Sequence, residues 1–212
     1  NISTKELNKG SPMPSLTAFI KSLFIATVIG LVGAGLFIYS GLYPIGADVP
    51  HNKLSYWLLE TLRERSIARA ASGIQIPDNL NTSDRLLAGG ADYNDMCAGC
   101  HLKPGKTDSD FTIGLYPAPP NLTAKADAHG HEHGSDTGSE EIAIQRQFWI
   151  IKHGIKASGM PAWGPTHSDE RIWNMVAFLQ RLPSLTPDQY QILTARGNTS
   201  DSTTTEFIAI EK

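Results

Sequence analysis

The sequence predicts an all-α protein: one membrane-spanning helix, an amphipathic helix just after it, and a small helical domain with long loops. Three observations predict it. No charged residue occurs from Ser22 to Gly46, apolar residues recur at helical spacing in several later segments, and no useful stretch alternates apolar and polar residues as a strand would. The 212 residues suit one compact domain with accessory segments.

The span comes first. Leu23 to Tyr43 is almost wholly Leu, Ile, Val, Phe, Ala and Gly, and at 1.5 Å per residue it gives roughly 31 Å of helix, enough for a hydrocarbon core of about 30 Å. A cleavable signal peptide would have a shorter apolar run and a small-x-small site after it. Lys5, Lys9 and Lys21 precede the span with Glu6 the sole acid among them. The positive-inside rule then puts the N-terminus in the cytoplasm and everything after Tyr43 outside. Gly30, Gly33, Ala34 and Gly35 offer small side chains for the close approach of another helix.

Asp48 and Pro50 make a plausible start for the next helix, in which Leu54, Trp57, Leu58, Leu62 and Arg65 recur at helical spacing up to Ser72. It reads as a solvated amphipathic spacer, with a docking surface as the alternative. Gly73 to Ser83, rich in Pro and Asn, reads as a linker. Further helical patterns cover Asp84 to Met96, Glu140 to His153 and Asp169 to Leu182. The expected division is residues 1–21 cytoplasmic, 22–46 membrane anchor, 47–83 juxtamembrane helix and linker, 84–196 the helical domain, and 197–212 a tail. Within the domain, 126–138 is an insertion carrying His129, His131 and His133 on alternate positions, either solvated or able to bind copper or zinc.

A net charge of -3 with acids and bases intermixed leaves no basic stripe, which argues against nucleic acid as a partner. The two cysteines, Cys97 and Cys100, are too close to staple a fold and are expected to serve local chemistry. In Cys97-Ala98-Gly99-Cys100-His101, two thiols one helical turn apart precede an imidazole. Thiols at this spacing can add to the two vinyl groups of haem and leave the adjacent His beneath the iron. A thioredoxin-like pair would need strands around it, and a zinc site would need a second pair of ligands. A small helical domain with long loops is also short of core unless something large and apolar fills its centre.

From about Asp84 to Leu182, roughly half the chain, the sequence resembles the class I cytochrome c family. Gly89, Tyr93 and Cys97 match its Gly-x-x-x-aromatic-x-x-x-Cys spacing, and Ala177-Phe178-Leu179 looks like the segment that packs over that Gly. The resemblance implies that Pro120, with Pro119 competing, offers its carbonyl to the outer ring N–H of His101, and that Leu122 lies against the haem. Gly159-Met160-Pro161-Ala162-Trp163 resembles the segment that delivers the sixth ligand, which implies His101 and Met160 as axial donors, with His153 as the alternative to Met160. Trp163 is then expected beside the haem.

The implied cofactor is one covalently bound haem c, and the implied function is single-electron transfer with no small-molecule substrate. The implied partners are the membrane and redox proteins or a respiratory complex. The rival is a haem enzyme or gas sensor with an open axial position.

Overall fold

A computed structural model describes residues 15–124 and 137–195. The His-rich stretch His129 to His133 and the tail from 197 lie outside the described residues. The described residues are helical, with no strand among them. The chain divides into two units, Asn1–Gly46 and Ala47–Lys212.

In the first unit, α1 (Leu16–Ser40) is one uninterrupted helix with no buried residue. It starts before the charge-free run because Ser15 caps it, its hydroxyl accepting from Ala18 N–H, so Lys21 lies inside the helix. It stops at Ser40 because Gly41 turns left-handed (φ 65°) and donates its N–H to the Ile38 carbonyl. By length and composition it can cross a membrane.

In the second unit, α2 (Lys53–Ala71) starts later than Asp48 and Pro50 suggest, because Asn52 is the cap: its Oδ1 accepts from Ser55 N–H at 2.9 Å. The C-terminal half of α2 is no spacer. It buries Ile67 and Ala71, packs on α6 (Thr137–His153), and ties Glu64 to Arg146 of that helix. Residues 73–83 are not a free linker either. Leu80 is buried in the core, Ile74 and Ile76 pack beside it, and the Ile74 carbonyl accepts from Gln145 Nε2 at 3.0 Å.

The centre of the unit is the pair α3 (Ser83–Met96) and α7 (Asp169–Arg181). α7 begins where Ser168 caps it, with Asp169 and Glu170 favourably placed in the first turn. Its Ile172, Met175, Val176 and Leu179 repeat at helical spacing on the core side. Close crossing with α3 is enforced by glycine. A Cβ on Gly89 would lie 1.9 Å from the Asn174 carbonyl oxygen. The nearest atoms to that position are backbone atoms of Asn174 and Met175, in the turn before the expected Ala177-Phe178-Leu179. Asn174 lies on Gly89, while Phe178 meets Gly90, where a Cβ would be 3.0 Å from the ring.

Two apolar clusters follow. One joins Phe148, Ile151, Ile172, Trp173, Met175 and Val176; the other joins Tyr93, Phe178, Leu182 and Tyr190. Each fully buried large side chain contributes about 1.5–3 kcal/mol. Tyr190 comes from α8 (Pro187–Thr194), which the helical periodicity did not reveal. Its signal was local: Thr186 and Gln189 form a capping box with Pro187 at the first helical position.

Candidate haem site

Two short helices build the site. α3 ends at Met96; Cys97 ends one helix and opens the next, α4 (Ala98–His101), and its N–H donates to the Tyr93 carbonyl at 2.9 Å. Cys97 and Cys100 are free thiols, both half-buried. Burial, with Asp92 and Cys100 nearby, pushes the Cys97 thiol up to about 12. A redox-active dithiol needs the opposite, a thiol easily ionised. Cys97 borders both apolar clusters.

His101 follows directly. Its Nδ1 lies 2.9 Å from the Pro120 carbonyl oxygen, so the ring N–H points at that oxygen and the lone pair falls on Nε2. Burial lowers the His101 pKa, against the opposing effect of the Pro120 bond, and favours the neutral imidazole a metal requires. Pro120, not Pro119, takes this role. The loop is closed by a second bond, from Leu122 N–H to the His101 carbonyl at 3.2 Å, and the Leu122 side chain packs with the Tyr93 cluster.

Tyr93 acts on the backbone of this segment. Its hydroxyl donates to the carbonyls of Leu102 (2.8 Å) and His101 (3.2 Å), and its ring packs against Phe178 and Tyr190. Leu102 needs that hold because it is a non-glycine residue with φ 70°. Sequence reasoning missed a further support. Asp92, buried on α3, receives two bonds from Arg171 of α7 at 2.6 and 2.8 Å.

Met160 lies in a loop pinned at both ends to α6. Gly154 turns left-handed (φ 64°) at the end of that helix, and a Cβ there would strike the Pro161 and Met160 backbone at 2.6–2.7 Å. Ile155 N–H donates to the Met160 carbonyl, while Trp163 and Gly164 return to the Ile151 and Lys152 carbonyls. The loop is linked to α4 by contacts. Ser109 donates to the Gly99 carbonyl at 2.7 Å and caps α5 (Asp110–Gly114), after which Leu115 rests against Gly159.

Trp163 packs on the Phe148 cluster, with His167 edge-on to its ring at 5.3 Å. His167 Nε2 is buried with no hydrogen-bond partner among the described residues, leaving a polar atom at this loop for a bound group or water. His153 is exposed at the end of α6 beside Trp149, lining an open groove of about 380 Å³ with Ala70, Phe148 and Trp173.

Two thiols, an oriented neutral imidazole and a thioether on a constrained loop suit haem iron and its vinyl groups. The family model described as cytochrome c oxidase, cbb3-type, subunit III matches residues 84–179. That segment is a cytochrome c domain. No curated protein and no solved structure matches the chain. The cytochrome c match begins one residue inside α3 and ends within α7, so the closely crossed helix pair frames it. α1, α2 and α8 lie outside it. A cytochrome c domain points to haem-based electron transfer.

Proposed function

We propose that this chain is a membrane-tethered, mono-haem c-type cytochrome that passes single electrons between redox proteins on the periplasmic face of the inner membrane, as a carrier or as a subunit of a respiratory complex. Cys97 and Cys100 hold the haem through thioethers, and His101 and Met160 are its axial donors. When bound, the haem supplies a one-electron couple whose potential His/Met ligation raises relative to two nitrogen ligands.

The protein's own residues do the rest. Pro120 fixes the His101 tautomer, Tyr93 holds the backbone that carries it, and Leu122 and Trp163 line the site. α1 anchors the chain, with residues 1–21 cytoplasmic and 84–196 outside. The observation that carries the reading is the 2.9 Å contact from His101 Nδ1 to the Pro120 carbonyl, one residue after the second thiol, which leaves Nε2 as the donor.

Acid–acetone extraction of protein matured in a competent host tests it. Pigment that stays with the polypeptide and gives the alkaline pyridine spectrum of a haem with both vinyl groups saturated is the expected result. Pigment that extracts fully would overturn covalent attachment. An open axial position, the enzyme or sensor alternative, would show high-spin bands in the untreated protein.

A further inference from the structure

α2 carries an outward ridge that no described residue covers. Leu54, Leu58 and Leu62 follow one another at four-residue spacing, and Arg65 and Arg69 continue the same line, on the side opposite buried Ile67. The three leucines are 71%, 58% and 64% exposed, and Trp57 beside them is 60% exposed. Arg63 and Arg146 are taken up by Glu60 and Glu64, whereas Arg65 and Arg69 are exposed and in no ion pair among the described residues.

We propose that this ridge seats on a lipid surface, with Leu54, Leu58 and Leu62 at the boundary of the acyl chains, Trp57 in the interfacial belt, and Arg65 and Arg69 reaching lipid phosphates. The proposal rests on reading α1 as a membrane anchor. Only residues 41–52 separate α1 from α2, so the start of α2 stays within about 45 Å of the bilayer surface. Three leucines and a tryptophan followed by two guanidinium groups in no ion pair among the described residues match an apolar layer edged with anionic headgroups, on a helix held close to the end of the anchor. Because the other side of α2 is fastened to α6 by Ile67, Ala71 and the Glu64–Arg146 pair, seating the ridge orients the cytochrome c domain on the membrane.

The test uses the haem-loaded full chain in vesicles of phosphatidylethanolamine with phosphatidylglycerol, at high lipid excess. In Leu58→Cys the new thiol is the one left reactive when Cys97 and Cys100 carry thioethers, so a nitroxide can be placed there; Ile192→Cys on α8, where the native residue is 74% exposed, is the reference. The label at 58 is expected to collide preferentially with dissolved oxygen and the label at 192 with a water-soluble nickel chelate. A label at 58 as open to nickel as that at 192, or shielded from both reagents as by a protein contact, overturns the proposal. Alkaline carbonate extraction of the same vesicles separates the two readings. Release of the chain overturns the anchor and the proposal with it, whereas retention with a water-exposed label at 58 overturns the ridge alone.

Discussion

The Asn174 carbonyl oxygen stands 1.9 Å from the place a Cβ on Gly89 would take, so the two helices that frame the cytochrome c domain touch through bare backbone. Neither side of that contact has a flexible group that can yield. The α3–α7 crossing that supports the Cys97–His101 segment therefore depends on the absence of one methyl group.

Gly89→Ala is expected to cost at least about 3 kcal/mol, at the upper end of overpacking penalties, because backbone must move to admit it. Chemical denaturation followed by far-UV circular dichroism checks this. A midpoint within error of the parent would show that the crossing relaxes freely.

Tyr93→Phe removes the hydroxyl that serves the Leu102 and His101 carbonyls and is expected to cost about 0.5–1.5 kcal/mol. Burial raises the pKa of Tyr93, and Tyr190 nearby raises it further; Tyr190 is raised as well, mainly by burial. A raised phenol pKa gives stability that is complete below the ordinary value of 10.0 and is lost as pH rises above it, since the unfolded chain releases its proton first. Stability should fall above about pH 10, less steeply in Tyr93→Phe. Equal slopes in the two proteins would remove Tyr93 from this account.

Arg171→Ala is expected to cost about 1.5–3 kcal/mol, because Asp92 is 6% exposed and loses a two-point charged partner. Replacing Asp92 by Asn in the same chain should recover part of the loss. Thermal melts of the single and double variants decide, and a double variant no better than Arg171→Ala would argue against the charge as the cause.

Glu64→Gln tests the fastening of α2. Burial alone would raise the Glu64 pKa, but Arg146 and Arg63 outweigh it and lower the pKa below 4.5. Its contribution is therefore present above the unfolded value and lost as pH falls through the folded one. Glu64 is part-exposed, so the expected cost at neutral pH is only about 0.2–1 kcal/mol. Hydrogen exchange in α2 should quicken in the variant at neutral pH, and the two proteins should converge in acid. Persisting protection would mean that Ile67 and Ala71 suffice.

Met160→Ala should open one axial position, with high-spin absorption, a lowered potential and binding of carbon monoxide by the reduced protein. An unchanged spectrum and potential would eliminate Met160 and return attention to His153, which is exposed at the end of α6.

Much of this was legible in the letters because it is local. Ser22 to Gly46 announces an apolar helix by composition, Cys97 to His101 sets two thiols one turn apart beside an imidazole, and Gly89 and Tyr93 share one helix that Cys97 ends, so their register follows from 3.6 residues per turn. Pro120 was legible only through the resemblance; which of two adjacent prolines turns its carbonyl to His101 depends on the loop's path. Residues 73–83 have the composition of a linker, yet Leu80 is core, because burial is conferred by neighbours such as Phe148 and Trp173 from distant segments. The same holds for Asp92 and Arg171, 79 positions apart.

The sequence by itself determined the helix class, the long apolar helix, the paired thiols with their histidine and the small residue at the crossing, since each is a property of one short segment. Only the tertiary structure decided that α2 belongs with the cytochrome c domain, that the Asn174 carbonyl lies nearest Gly89, and that α8 closes the core around Tyr93. Those outcomes depend on which side chains fill a shared volume at close-packed density, and no single segment carries that information.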